Sequence, residues 1–410
     1  MPYGAGDPWR SVTFGGRMKD HQNNFDLLRL LAALQVVYMH AAEWLKLPVI
    51  QPPLSWAPNL FPGVAVFFVI SGFLVTRSFL ASKSGTAGYL VRRGLRIYPG
   101  LWVHFGVIFI MLAVAGALPL SRLASAAFWR WIAGAFVMGS DPWGNLFGGI
   151  IFDYSGFYRD FPSGVLWTIT VELIFYLLVP IAFAGVIRKR NLVWLSIATL
   201  ATVSLTLALL ANRWAIESPN GIGGKLRSSP AALFWVFLVG ATMSFYWKGI
   251  RKYVEGQAWK WLLAYVALSQ LDYYLFHQQV LDFIKPTLLT APRVVLLGIA
   301  VISFAYSWRR LASVLRGVDL SYGIYLYHMP FIATLYYANV SSHWWLWLLA
   351  YAVPTFVAAM SWHFVEKPCL SLKGKADELV VGLRQWNFGL PSKPAASSVN
   401  LDAPKQAEID

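Results

Sequence analysis

Charge is what this 410-residue sequence has least of. Asp, Glu, Lys and Arg together make up 13% of it, about half of the ~25% usual in soluble globular domains. That deficit excludes a disordered chain and an ordinary water-soluble enzyme. Negative charge is the scarcer sign, with 19 Asp and Glu against 34 Lys and Arg. Cysteine is almost missing too. Cys369 stands alone, so an internal disulfide and a C-x-x-C metal site are both excluded, and no metal is expected. Residues 1–26 are polar and basic and hold no apolar run of the signal-peptide kind. No internal repeat of the transporter kind is visible.

What fills the space is hydrophobic: 57% of the residues, with 16% aromatic. Apolar stretches lie at about 27–44, 60–77, 98–117, 165–187, 191–211, 230–247, 259–276, 292–308, 321–340 and 344–363. Each approaches the ~20 residues with which a helix crosses a bilayer. An eleventh, at 124–139, contains Arg130 and is followed by Asp141. Counting it as a span would invert every later loop, so it reads as an interfacial or re-entrant piece.

Charge placement tests that topology. With the N-terminus inside, cytoplasmic segments hold 24 basic residues and outer loops hold 9, the bias expected of an inner-membrane chain. The expected fold is therefore all-α: a polytopic integral membrane protein of about ten transmembrane helices, both termini cytoplasmic. It divides into a cytoplasmic segment 1–26, a transmembrane domain 27–366 with a long outer loop 118–164, and a partly disordered cytoplasmic tail 367–410. A second outer loop is expected through 212–229. The basic excess belongs mainly to this orientation, so membrane lipid is the expected partner and nucleic acid is not. The oligomeric state is left open.

Ionisable residues inside a span are costly and are functional candidates by default. Arg29 and His40 lie in the first span in RLLAALQVVYMH. Eleven steps of 100° end about 20° past three full turns, so both side chains share a face, ~16 Å apart along the axis. Asp26 and Glu43 fall on roughly the same face. A snorkelling arginine and a histidine bonded between helices would explain the pair blandly. A lined cavity explains the shared face and the difference in depth. It fits a nucleotide-like donor whose charged end rests on Arg29 while an extended arm reaches His40. Histidine suits general-base work on a hydroxyl near neutral pH.

These residues and four other stretches resemble the membrane acyltransferase 3 family. The first span is similar to the family's Arg, ten residues, His signature. FFVISGFLV (67–75) resembles its second-span motif, and RRGLRIYP (92–99) its basic stretch, here Arg93 and Arg96. LWTITVELIFYLLVP (166–180) resembles W-S-L-x-x-E-x-x-F-Y, with Glu172 at the glutamate and Thr168 in place of the serine. SYGIYLYHMP (321–330) and HFVEKP (363–368) resemble the closing motifs. The matches run in order from about 23 to 370. The family's appended hydrolase-like domain finds no room in this length, so a stand-alone transferase is expected.

The resemblance implies a membrane O-acyltransferase of the bacterial inner membrane. Its co-substrate would be acetyl-CoA or another acyl-CoA, and its acceptor a hydroxyl of a surface or lipid-linked carbohydrate. His40 becomes the candidate general base. Glu172, expected at similar depth, is the candidate to orient the imidazole, or else a carboxylate satisfying polar groups between helices. Arg29, Arg92, Arg93 and Arg96 are candidates for the donor's phosphates, although the 92–96 cluster also fits orientation alone. His328 is expected to line the donor channel or to be structural. Ser71-Gly72 reads chiefly as a helix-packing pair. A transporter or flippase for a glycan or small anionic solute would use the same buried ionisable residues, and is the competing class.

Overall fold

The computed structural model describes residues 23–48, 59–82, 84–115, 124–139, 163–185, 189–217, 222–277, 283–284, 286–308, 311, 315 and 317–388. The segment 1–22, the outer aromatic residues with Asp141 and Asp153, and the end of the tail lie outside them. Among the described residues there are helices and turns and no strand.

All ten apolar stretches form helices. They are α1 (Phe25–Trp44), α2 (Gly63–Leu80), α3 (Gly85–Val114), α5 (Leu166–Phe183), α6 (Arg190–Glu217), α8 (Pro230–Phe245), α10 (Ala258–Phe276), α11 (Thr290–Ala305), α12 (Ser321–Tyr337) and α13 (Leu346–Ser361). Between them lie α4 (Ala126–Met138), α7 (Ile222–Arg227) and α9 (Trp247–Val254). A π-helical turn, Trp362–Glu366, joins α13 to α14 (Lys367–Ser371) and then α15 (Lys373–Phe388). Among the described residues, seven helices are long and apolar enough to cross a membrane. Side chains such as Ile110, Val114, Ile181 and Leu195 stay exposed. In water such a surface would aggregate; in lipid it is the solvated face. The protein is an all-α polytopic membrane protein.

Small residues bring the central helices together. A Cβ at Gly72 of α2 would meet the Phe237 carbonyl oxygen at 2.0 Å, and one at Gly240 of α8 would meet that of Val69 at 2.0 Å. Each glycine thus admits the other helix's backbone, which is how helices gain contact where lipid removes the hydrophobic driving force. Ser229 caps α8, its hydroxyl accepting from the Ala232 amide, with Pro230 in the first turn.

The structure adds to the sequence reading in the outer loops, in α11 and in the tail. The outer loop 118–164 contains the helix α4, whose C-terminal carbonyls at Phe136 and Val137 accept from Trp102 and Tyr98 of α3 at 3.1 and 2.7 Å. Phe128, near its start, packs by Phe109. The helix therefore runs antiparallel to α3 and turns at Gly139, with φ of 82°. The second loop is shorter than expected, because α6 continues to Glu217 and α7 follows. Arg293 lies buried in the first turns of α11, paired with buried Asp272 of α10 at 3.1 Å. The tail is helical through Phe388, and its Asp377 pairs with Arg92.

Candidate active site

Two contacts fix α1 against α12 and show that they run parallel. Arg29 reaches Asp319, just before α12, at 3.5 Å. Eleven residues further along α1, His40 meets His328 of α12. The site thus has an arginine end and a histidine level.

At the arginine end, Asp319 is the hub. One carboxylate oxygen accepts from both Arg29 and Arg96, and the other accepts from the Ser321 hydroxyl and from its backbone N–H at 3.2 Å. Burial opposes ionisation of this carboxyl, but Arg96, Arg29 and the Ser321 bonds outweigh it and hold the group below the ordinary carboxylate range. Arg96 also lies 5.8 Å over the Tyr322 ring. Arg93 donates to Ser78 at 3.2 Å and lies 5.8 Å over the Tyr176 ring, while its Nε is buried without a partner. These groups surround a cavity of about 310 Å³ to which Arg29, Arg93, Arg96, Lys373, Glu172 and Tyr325 contribute.

At the histidine level, His40 Nδ1 lies 2.9 Å from His328 Nε2, with the rings 5.2 Å apart and 9° from parallel. His328 is fully buried, and its Nδ1 is 3.1 Å from the Ile324 carbonyl oxygen. A carbonyl only accepts, so the proton of a neutral His328 sits on Nδ1 and its Nε2 is an acceptor. His40 must then donate from Nδ1, which leaves the lone pair on His40 Nε2 free. That is the tautomer a general base requires. Tyr325, one turn before His328, packs edge-on against it, and its hydroxyl is 2.6 Å from that of Thr168. Tyr325 therefore touches both the histidine level and the arginine cavity.

The sequence-derived residues separate accordingly. Arg29, Arg93 and Arg96 converge on the cavity. Arg92 does not: it bonds to Ser82 at 2.7 Å, to Ser84 at 3.1 Å and to Asp377. His328, expected to line the donor channel or to be structural, stands beside His40. Glu172, expected either to orient His40 or to satisfy polar groups between helices, lies toward the arginine end. Thr168 is already level with Tyr325, and Glu172 is one helical turn, ~6 Å, beyond it. One Glu172 oxygen accepts from Ser71 at 2.9 Å and Tyr176 at 2.5 Å. Ser71 is thus a donor to a carboxylate as well as part of a helix crossing. The sequence reading missed Asp319 and Lys373, which resembled solvated loop and tail charges. A lone acid immediately before a tyrosine-rich span is the signal that could have found Asp319.

Comparison with known proteins decides the family. An acyltransferase domain model, that of acyltransferase 3, matches residues 22–362. The chain belongs to this family. It is 36% identical over 361 residues to Nodulation protein 10 of Rhizobium leguminosarum bv. viciae, covering 86% of this chain and 94% of that one. It is 25% identical to the O-acetyl transferase of Shigella phage Sf6, over 86% and 97% of the two chains. Peptidoglycan O-acetyltransferase OatA of Listeria monocytogenes is 26% identical, over 84% of this chain and 55% of its own length. No solved structure matches. This acyltransferase 3 protein is a membrane O-acyltransferase.

Proposed function

We propose that this acyltransferase moves an acyl group, acetyl first among the candidates, from cytoplasmic acyl-CoA to a carbohydrate hydroxyl at the bacterial inner membrane. The observation that carries the reading is the pairing of two sites on the parallel helices α1 and α12. A cavity lined by arginines and a lysine lies at one end, and a histidine with a free Nε2 lies eleven residues further along. The donor's phosphates would rest on Arg93, Arg96 and Arg29, since guanidinium groups bind phosphate through paired N–H donors. The acyl end would extend past Tyr325 toward His40.

The chemistry then balances in one pass. The acceptor oxygen attacks the thioester carbonyl carbon as His40 Nε2 takes the hydroxyl proton. The tetrahedral adduct collapses, the C–S bond breaks, and His40 returns the proton to the departing sulfur. His328 keeps His40 in the right tautomer and shares the charge of the transient imidazolium, the part an acidic residue plays in a triad. The names of the relatives, acetyltransferases of peptidoglycan among them, support a carbohydrate acceptor.

The test uses proteoliposomes with radiolabelled acetyl-CoA and an oligosaccharide acceptor. Label should pass to the acceptor and fail to do so in His40→Ala. Vectorial movement of the glycan without release of coenzyme A would replace this reading with transport.

A further inference from the structure

We propose that α15, which lies beyond the residues matched by the family model, completes the donor site: Lys373 binds a phosphate of the donor, and an Asp377–Arg92 ion pair holds it in place. The proposal rests on the acyl-CoA reading above.

Four cations, Arg29, Arg93, Arg96 and Lys373, line the cavity. Asp319 is shared by Arg29 and Arg96. Among the described residues, neither Arg93 nor Lys373 has a carboxylate partner. Lys373 shares the cavity with the guanidinium groups of Arg93, Arg96 and Arg29. A lysine held among arginines is unfavourable unless an anion joins them. Glu172 is the one carboxylate among the described residues that line the cavity, and Asp319, Asp26 and Glu366 act on the Arg29 and Arg96 side, so uncompensated positive charge is left at Arg93 and Lys373. A phosphate group of the donor suits that side.

Something must hold Lys373 against this repulsion, and the structure shows what does. Asp377 lies four residues further along α15 and hence on the same helix face. It accepts from Arg92 and from the Ser84 hydroxyl. The approach is close enough that a Cβ on Gly88 would lie 2.7 Å from the Asp377 carboxylate oxygen. Arg92 thus serves the donor indirectly, by anchoring the helix that delivers Lys373.

Binding of coenzyme A to the full chain in nanodiscs tests this, together with KM and kcat for acetyl-CoA. Lys373→Ala should weaken coenzyme A binding and raise KM by about ten- to hundredfold, the range for losing a charge-assisted hydrogen bond. Its kcat should stay within about threefold, since Lys373 does not reach the histidine level. Lys373→Arg should restore binding, and Asp377→Asn should weaken it. Lys375→Ala, on the exposed side of the same helix, should match the wild type. Unchanged binding and KM in Lys373→Ala, with a wild type that binds coenzyme A, would overturn this inference alone. A wild type that binds no coenzyme A would overturn the donor reading and this inference with it.

Discussion

Replacing His328 by alanine separates two roles for a fully buried polar group beside α1. The change removes the acceptor 2.9 Å from His40 Nδ1 and leaves that N–H without its partner. A buried donor left unsatisfied costs about 1–3 kcal/mol. His40 can escape that cost by shifting its proton to Nε2 or by rotating toward another acceptor, and either response removes the lone pair from the acceptor hydroxyl. Losing the orienting member of a triad lowers kcat by up to ~10⁴. A neutral imidazole partner stabilises imidazolium less than a carboxylate does, so a fall of about 10²–10³ is expected here. The donor's phosphates are bound elsewhere, so KM for acetyl-CoA should change by less than about threefold. The assay is initial-rate release of coenzyme A in detergent, with acceptor saturating. His328→Gln, whose amide oxygen can accept from His40, should recover part of the rate. A His328→Ala enzyme with normal kcat and raised KM would refute the argument and return His328 to the donor channel.

Three further outcomes follow from the packing and the ion pairs. Asp319→Asn should lower the thermal midpoint in detergent and cost about 3 kcal/mol, because it strips Arg29 and Arg96 of their shared counter-charge. The native Asp319 carboxyl is held below its ordinary value. Its stabilising effect is therefore complete above that value and is lost only as the pH falls through the lowered one. Between about pH 5 and 8 this group should add no slope to a stability profile. Asp272→Ala should cost about 3–5 kcal/mol by leaving Arg293 charged, buried and unpaired, and Asp272→Leu combined with Arg293→Met should recover most of it. Gly240→Val should abolish a monodisperse gel-filtration peak, since its Cβ would collide with the Val69 backbone.

The fold was legible because lipid enforces one rule. Ten apolar stretches near twenty residues long leave helices as the economical answer, and all ten formed. The shared face of Arg29 and His40 was legible for a similar reason: within one helix, spacing is geometry. Contacts between helices were not. Nothing in the spacing of Glu172 said that α5 sits deep enough to place it beside Ser71 and the arginines. Nothing in SYGIYLYH said which neighbour its histidine would meet. Arg92, Arg93 and Arg96 read as one cluster, yet the first two are adjacent on a helix and point about 100° apart. That angle sends Arg92 to Asp377 and Arg93 to the cavity. Lys373 and Asp377 were invisible because their meaning depends on where α15 docks.

The measurement closest to the central claim is the stoichiometry of a single experiment: coenzyme A released and acylated acceptor formed, in wild type and His40→Ala. The account predicts one coenzyme A for each acylated hydroxyl in the wild type. It predicts loss of both products in His40→Ala, with coenzyme A binding intact. Acceptor acylation that continues in His40→Ala at the wild-type rate would contradict it.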